Sequence, residues 1–137
     1  MREILFRGKR VNNGEWVEGF LLIGWDEIYA IMEKDECDWG LDGCYCDGGV
    51  KRVIPETIGQ YTGLTDKNGT KIFEGDIMPV YEQGEEYYYK VVYNGDCFVL
   101  AMLDSVQGSY PLSTKNTISE VIGNIHDNPE LIRNRYD

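Results

Sequence analysis

The chain predicts a mainly β protein built as a small, partly open barrel, and three features carry that expectation. Sixteen glycines and ten tyrosines favour strands and turns over helices, because glycine supplies left-handed backbone angles and tyrosine suits a half-buried pleated surface. Tight reversals stand at Asn13-Gly14, Asp66-Lys67-Asn68-Gly69 and Asn94-Gly95, each between apolar-patterned flanks. From about residue 50 onward, five or six short, evenly spaced strands with short turns fit a small barrel. At 137 residues the chain is long enough for one compact domain whose core needs no structural disulfide.

The elements follow in order. Residues 4–7 read as an extended strand, and residues 16–23 and 28–32 as a hairpin turning at Gly24-Trp25-Asp26. In the second strand Trp16, Glu18, Phe20 and Leu22 share one face and Val17, Gly19, Leu21 and Ile23 the other. Both faces are largely apolar, so the strand is expected to be covered on both sides. Residues 33–49 hold Gly40, Gly43, Gly48 and Gly49 without a sustained period and read as an acidic loop. Strands are then expected at 58–61, 71–73, 76–81, 86–93, 97–103 and 119–125. Asn94-Gly95 predicts a hairpin with a type I′ turn, and Pro79, which has no N–H to donate, predicts an edge or a bulge. Residues 56–61 echo residues 120–125, an arrangement that would make these two strands neighbours closing the barrel. Asp127 or Asn128 as N-cap, Pro129 at the first helical position and Glu130 beside the positive end start a short helix. The expected organisation is one domain over 1–137: an N-terminal β lobe at 1–53 with the acidic loop 33–49, a barrel at 54–126, and a helix and tail at 127–137.

Net charge is −11, and it is unevenly placed. Residues 26–48 hold eight carboxylates against Lys34 alone, which is −7 of the total. Nucleic-acid binders gain affinity by neutralising phosphates with Lys and Arg, so direct nucleic-acid binding is not expected and a protein partner with a basic surface is. No apolar run approaches the roughly 20 residues that span a bilayer, and Arg2, Glu3 and Arg7 do not make a signal peptide. The expectation is a protein of the cytoplasm, where Cys37, Cys44, Cys46 and Cys97 stay reduced.

Three segments together resemble the YopX-like phage and prophage proteins: Arg2 to Gly8 at the start; Ile58-Gly59-Gln60-Tyr61-Thr62-Gly63-Leu64, Asp66-Lys67-Asn68-Gly69 and Glu74-Gly75-Asp76-Ile77 in the middle; and Val121 to Leu131 at the end. The resemblance implies an SH3-like β-barrel, a bacterial host carrying a phage or prophage genome, and an accessory role. It transfers no catalytic residue, because that family has no established activity.

Chemistry-bearing residues are sparse. Cys37, Cys44, Cys46, Cys97 and His126 include zinc-type ligands, but Cys44-Tyr45-Cys46 is tighter than the usual knuckle and no second pair faces it. Asp35, Asp38, Asp42 and Asp47 lack the ligand order of a calcium loop. His126 would need Cys97 or Ser119 and a carboxylate within reach to act in a hydrolase. Glu74 and Asp76 read as a polar turn exit, and Gly59, Gly63, Gly69 and Gly75 as turn glycines, since no Lys-Ser or Lys-Thr and no helix follows them. No cofactor, metal or catalytic residue is assigned. The expected function is a non-enzymatic accessory module that binds protein or assembles with itself, with Trp25, Trp39, Tyr45 and Tyr88 as interface candidates. A small hydrolase or metal-dependent enzyme is the alternative, and an acidic, phosphate-mimicking inhibitor of a nucleic-acid-binding protein is a second.

Overall fold

A computed structural model describes residues 3–33, 38–40, 43–45, 50–102 and 105–133. Strand accounts for 54% of the structure, mostly in two larger antiparallel sheets that do not close into a barrel, which makes this an open, SH3-like β fold. Two compact units divide the chain, Met1–Tyr61 and Thr62–Asp137. The division falls inside a strand, later than the residue 53 at which the sequence pattern ends the N-terminal lobe.

The first unit contains β1 (Phe6–Lys9), β2 (Trp16–Ile23), β3 (Tyr29–Glu33), β4 (Asp38–Gly40), β5 (Gly43–Tyr45), β6 (Val50–Arg52) and the opening residues of β7 (Gly59–Thr65). Its strands run antiparallel in the order β6–β3–β2–β1–β7. Val17, Ile31 and Val53 form the core, with Phe6, Leu21, Tyr29 and Ile58 packed against them. Gly19 sits between two partners, Phe6 on β1 and Glu33 on β3, and a Cβ there would stand 2.0 Å from the Met32 carbonyl oxygen. Only glycine permits strands to approach that closely.

Two expectations for this unit change. Coverage of β2 on both faces fails at its far end, where Leu22 is 41% and Ile23 67% exposed; apolar alternation alone does not reveal where a sheet stops being covered. Inside the stretch read as a loop, Asp38–Gly40 pairs with Gly43–Tyr45 as a separate two-stranded sheet. A hairpin so short needs no sustained alternation, so no periodic signal marks it.

The second unit holds the remainder of β7 beside β8 (Lys71–Phe73), then β9 (Asp76–Glu82), β10 (Glu85–Tyr93), β11 (Phe98–Met102), β12 (Ser105–Pro111), β13 (Gly123–Asn124) and α1 (Glu130–Arg133). The five-stranded sheet runs β12–β11–β10–β9–β13. Its core joins Ile72, Met78, Val80, Tyr89, Val91, Leu100 and Leu112. Each fully buried aliphatic side chain of this set contributes about 1.5–3 kcal/mol relative to an exposed one.

Turn chemistry fixes the registers. Glu82 faces Glu85 across Gln83 and Gly84, whose φ angles of 52° and 84° define the twist-matched two-residue reversal. At Asn94-Gly95 the hairpin forms as expected, with Tyr93 opposite Phe98, but the turn is longer than type I′. Asn94 keeps a negative φ, and its Oδ1 accepts from the backbone N–H groups of Asp96 and Cys97 at 3.0 and 2.9 Å. Pro79 lies opposite Tyr88 on β10; on its other flank β13 pairs only with Asp76 and Ile77, so no ladder partner there requires the N–H that proline lacks.

The closure inferred from the paired echoes does not occur. β7 pairs with β1 and β8, while β13 pairs with β9. Residues 119–122 are instead tied by single bonds: Ser119 Oγ donates to the Pro79 carbonyl, Val121 N–H to Asp66 Oδ2 and Ile122 N–H to the Ile77 carbonyl. β12 was not expected, because Ser105-Val-Gln-Gly-Ser is poor in β-formers; it is tolerated as an edge strand with a register shift between Leu100 and Met102. Asn128 Oδ1 accepts from the Asn124 N–H rather than capping the helix.

Candidate functional site

The candidate surface of the first unit is the β2–β3 turn. Gly24 N–H donates to the Ile28 carbonyl at 2.7 Å and Ile28 N–H to the Trp25 carbonyl at 3.3 Å, which closes a loop of Trp25, Asp26 and Glu27. Asp26 and Glu27 both take left-handed angles, with φ of 58° and 59°. For residues with a Cβ that conformation is strained, at about 1–2 kcal/mol each. What this turn displays is Trp25 at 91% exposure, flanked by Leu22, Ile23 and Ile28, all exposed. Exposed apolar side chains gathered around one turn and headed by tryptophan have the composition of a protein-binding hot spot.

Of the four interface residues expected from sequence, Trp25 stands in this turn, and the side chains of Trp39 and Tyr45 lie outside the described part of the structure. Tyr88 is half-buried on β10, in the second unit. Trp39 and Tyr45 lie on β4 and β5, opposite Cys44 and Asp38 in the backbone register. Ile23 escaped the sequence reading because its strand was expected to be covered on both faces, and Ile28 because it reads as the start of the next strand.

The second unit carries a hollow of about 190 Å³. Its lining includes Tyr81, Ile118, Ile122, Lys67, Lys115 and Glu86; Tyr81 is 73% and Ile118 67% exposed. The Tyr81 hydroxyl donates to Glu86 Oε2 at 3.4 Å, and the negative charge of Glu86 holds the phenol above its usual pKa. Nearby, the hydroxyls of Tyr89 and Tyr110 both donate to Glu82 Oε1. That hydrogen bond to Glu82, followed by burial and the carboxylate charge, raises the pKa of Tyr110. With raised pKa values, Tyr81 and Tyr110 are neutral donors at neutral pH.

The residues of a possible reaction centre are committed elsewhere. Ser119 Oγ donates to the Pro79 carbonyl. Cys97 is exposed in the β10–β11 turn. His126 follows β13 and stands near Gly75, with its backbone N–H donating to Asn124 Oδ1. Asp76, read from sequence as a polar turn exit, is 1% exposed and its Oδ2 accepts from the Phe73 N–H at 2.8 Å, closing the β8–β9 turn. Among the described residues no group of three or more His, Cys, Asp or Glu could hold a metal ion; Cys37 and Cys46 lie outside them. Among the described residues no helix is long and apolar enough to cross a membrane.

Open antiparallel sheets and polar groups spent on turns define a class: a small, mainly β protein with an open SH3-like fold. The family is specific as well. Residues 5–133 match the YopX protein model, and the chain belongs to that family of YopX-like phage and prophage proteins. Among solved structures it is similar to protein EF1440 from Enterococcus faecalis, at 26% identity and a TM-score of 0.60, over 96% of this chain and 99% of that one. No curated protein matches it.

Proposed function

We propose that this chain is a non-enzymatic accessory module that works by binding protein, with the β2–β3 turn as its contact. The observation that carries this reading is Trp25, 91% exposed at the head of a turn that holds two consecutive strained residues. Turning a chain through left-handed Asp26 and Glu27 costs stability, and folds keep such strain where surface geometry matters. Tryptophan offers a large contact area with few rotamers to freeze, so it returns much of that cost on association. Membership of a phage and prophage family fits an accessory binding role.

The test is affinity capture from induced lysogenic bacteria with wild-type chain and with Trp25→Ser, followed by mass spectrometry and titration of the purified captured protein. The expected result is a partner bound by wild type and weakened at least about tenfold by the substitution, the loss typical of a hot-spot residue. Equal binding by both chains contradicts the assignment.

A further inference from the structure

The hollow of the second unit lies at an unfinished sheet edge. Glu82 and Glu85 flank the two-residue turn of the β9–β10 hairpin, so their backbone groups exchange hydrogen bonds, and by alternation those of Ile77, Pro79 and Tyr81 point away from β10. Partners meet the first two. The Ile77 carbonyl accepts from the Ile122 N–H and the Pro79 carbonyl from Ser119 Oγ, while proline has no N–H to satisfy. Tyr81 comes next in that row, beyond the two residues of β9 with which β13 pairs. Among the described residues no hydrogen bond meets its N–H or carbonyl on that side, and an open stretch of strand edge is a template for another chain.

The hollow beside this edge is walled by Tyr81, Ile118 and Ile122, all exposed, together with Glu86 and Glu120. At about 190 Å³ it is smaller than the roughly 300–1,000 Å³ of small-molecule sites and suits a single side chain. Charge selects which one. Lys115 Nζ stands 4.8 Å from the centre of the Tyr110 ring, and Lys67 neighbours Asp66, whose carboxylate its charge stabilises. Both cations of the hollow therefore already face electron-rich groups. Among the described residues the two carboxylates are met by neutral donors, Glu86 by the Tyr81 hydroxyl and Glu120 by Asn68 Nδ2 at 3.0 Å. Their charges, that of Glu86 foremost, act on the Tyr81 phenol, so a cation over the exposed face of that ring is attracted by both carboxylates and by the ring itself.

We infer that the β9 edge at Tyr81 is a docking site for an extended basic polypeptide. Its backbone pairs with the Tyr81 N–H and carbonyl as an added strand, and one Arg or Lys side chain enters the hollow between Glu86 and Glu120. The site belongs to the second unit and does not depend on the Trp25 turn.

Selection of random nonapeptides on full-length Trp25→Ser chain, which removes the other proposed contact, tests it. Enriched peptides are expected to carry Arg or Lys within a run of β-formers. By calorimetric titration the wild type should bind them as Trp25→Ser does, and E86Q/E120Q at least about tenfold more weakly, because glutamine keeps the acceptors for Tyr81 and Asn68 and removes the charge. Amide NMR spectra should show the Tyr81 N–H shifted and its exchange slowed by the bound peptide. Circular dichroism establishes that the variants fold, with E86Q alone replacing the pair if it does not. The inference is overturned if no peptide is enriched, if the enriched sequences lack a basic residue, or if E86Q/E120Q binds them equally. It is also overturned if the Tyr81 amide is unmoved, or if that amide shifts with chain concentration alone, which would make a second copy the occupant. Because the selection proceeds without Trp25, its failure leaves the Trp25 contact standing, and the converse holds.

Discussion

Asp66 illustrates how a single side chain organises the second unit. It is 6% exposed, and burial by itself would raise its pKa. Backbone N–H groups of Val121, Thr70 and Asn68, with the Lys67 charge, outweigh that and hold the carboxyl below its usual value of 3.8. One carboxylate thereby closes the 66–70 turn and anchors the segment carrying Val121. Because the folded pKa is the lower one, the stabilisation is complete above about pH 3.8 and is lost as pH falls through the folded value. Asp66→Ala should cost about 2–3 kcal/mol at neutral pH by stranding these donors. Urea titrations should also show the wild-type advantage over the variant shrinking on acidification below that pH; an advantage that persists there contradicts the account. Trp25→Ser, by contrast, should shift stability by no more than about 0.5 kcal/mol, since its ring packs on nothing the fold needs. Thermal unfolding of the two variants checks the contrast.

Turns and strand contacts obey the same logic. Gln83 occupies the first position of a reversal that requires left-handed angles, a position better served by asparagine. Gln83→Asn is expected to stabilise by about 0.5–1 kcal/mol, read as a higher denaturant midpoint at unchanged slope. Gly19→Ala should do the opposite, because its methyl group would collide with the Met32 carbonyl on the neighbouring strand. A loss of about 3 kcal/mol is expected in the same measurement. The sequence made the hairpins legible because Asn-Gly and Gly-containing reversals fall between apolar runs. It concealed β12, which lacks β-formers, and it overextended β13, since Val121 and Ile122 look like strand while side-chain and single backbone bonds hold them. The Asn94 turn was found for a partly different reason, its carboxamide rather than a left-handed angle.

For the whole molecule, a mainly β class and the family were readable from 16 glycines, ten tyrosines and the segments from Ile58 to Ile77 and Val121 to Leu131. Which strands close on which was not, because local echoes such as residues 56–61 and 120–125 carry no information on long-range pairing. Trp25 in the turn was singled out from sequence, whereas the exposure of Ile23 and Ile28 arises where β2 and β3 end and needs the sheet to show it. What emerges is a chain that spends its buried polar groups on holding turns and leaves its distinctive residues outside. Amide hydrogen exchange of the captured complex against the chain alone is the direct measurement of this. Protection concentrated over residues 22–28 is the predicted result, and protection that leaves the Trp25 turn exchanging as fast as before would contradict it.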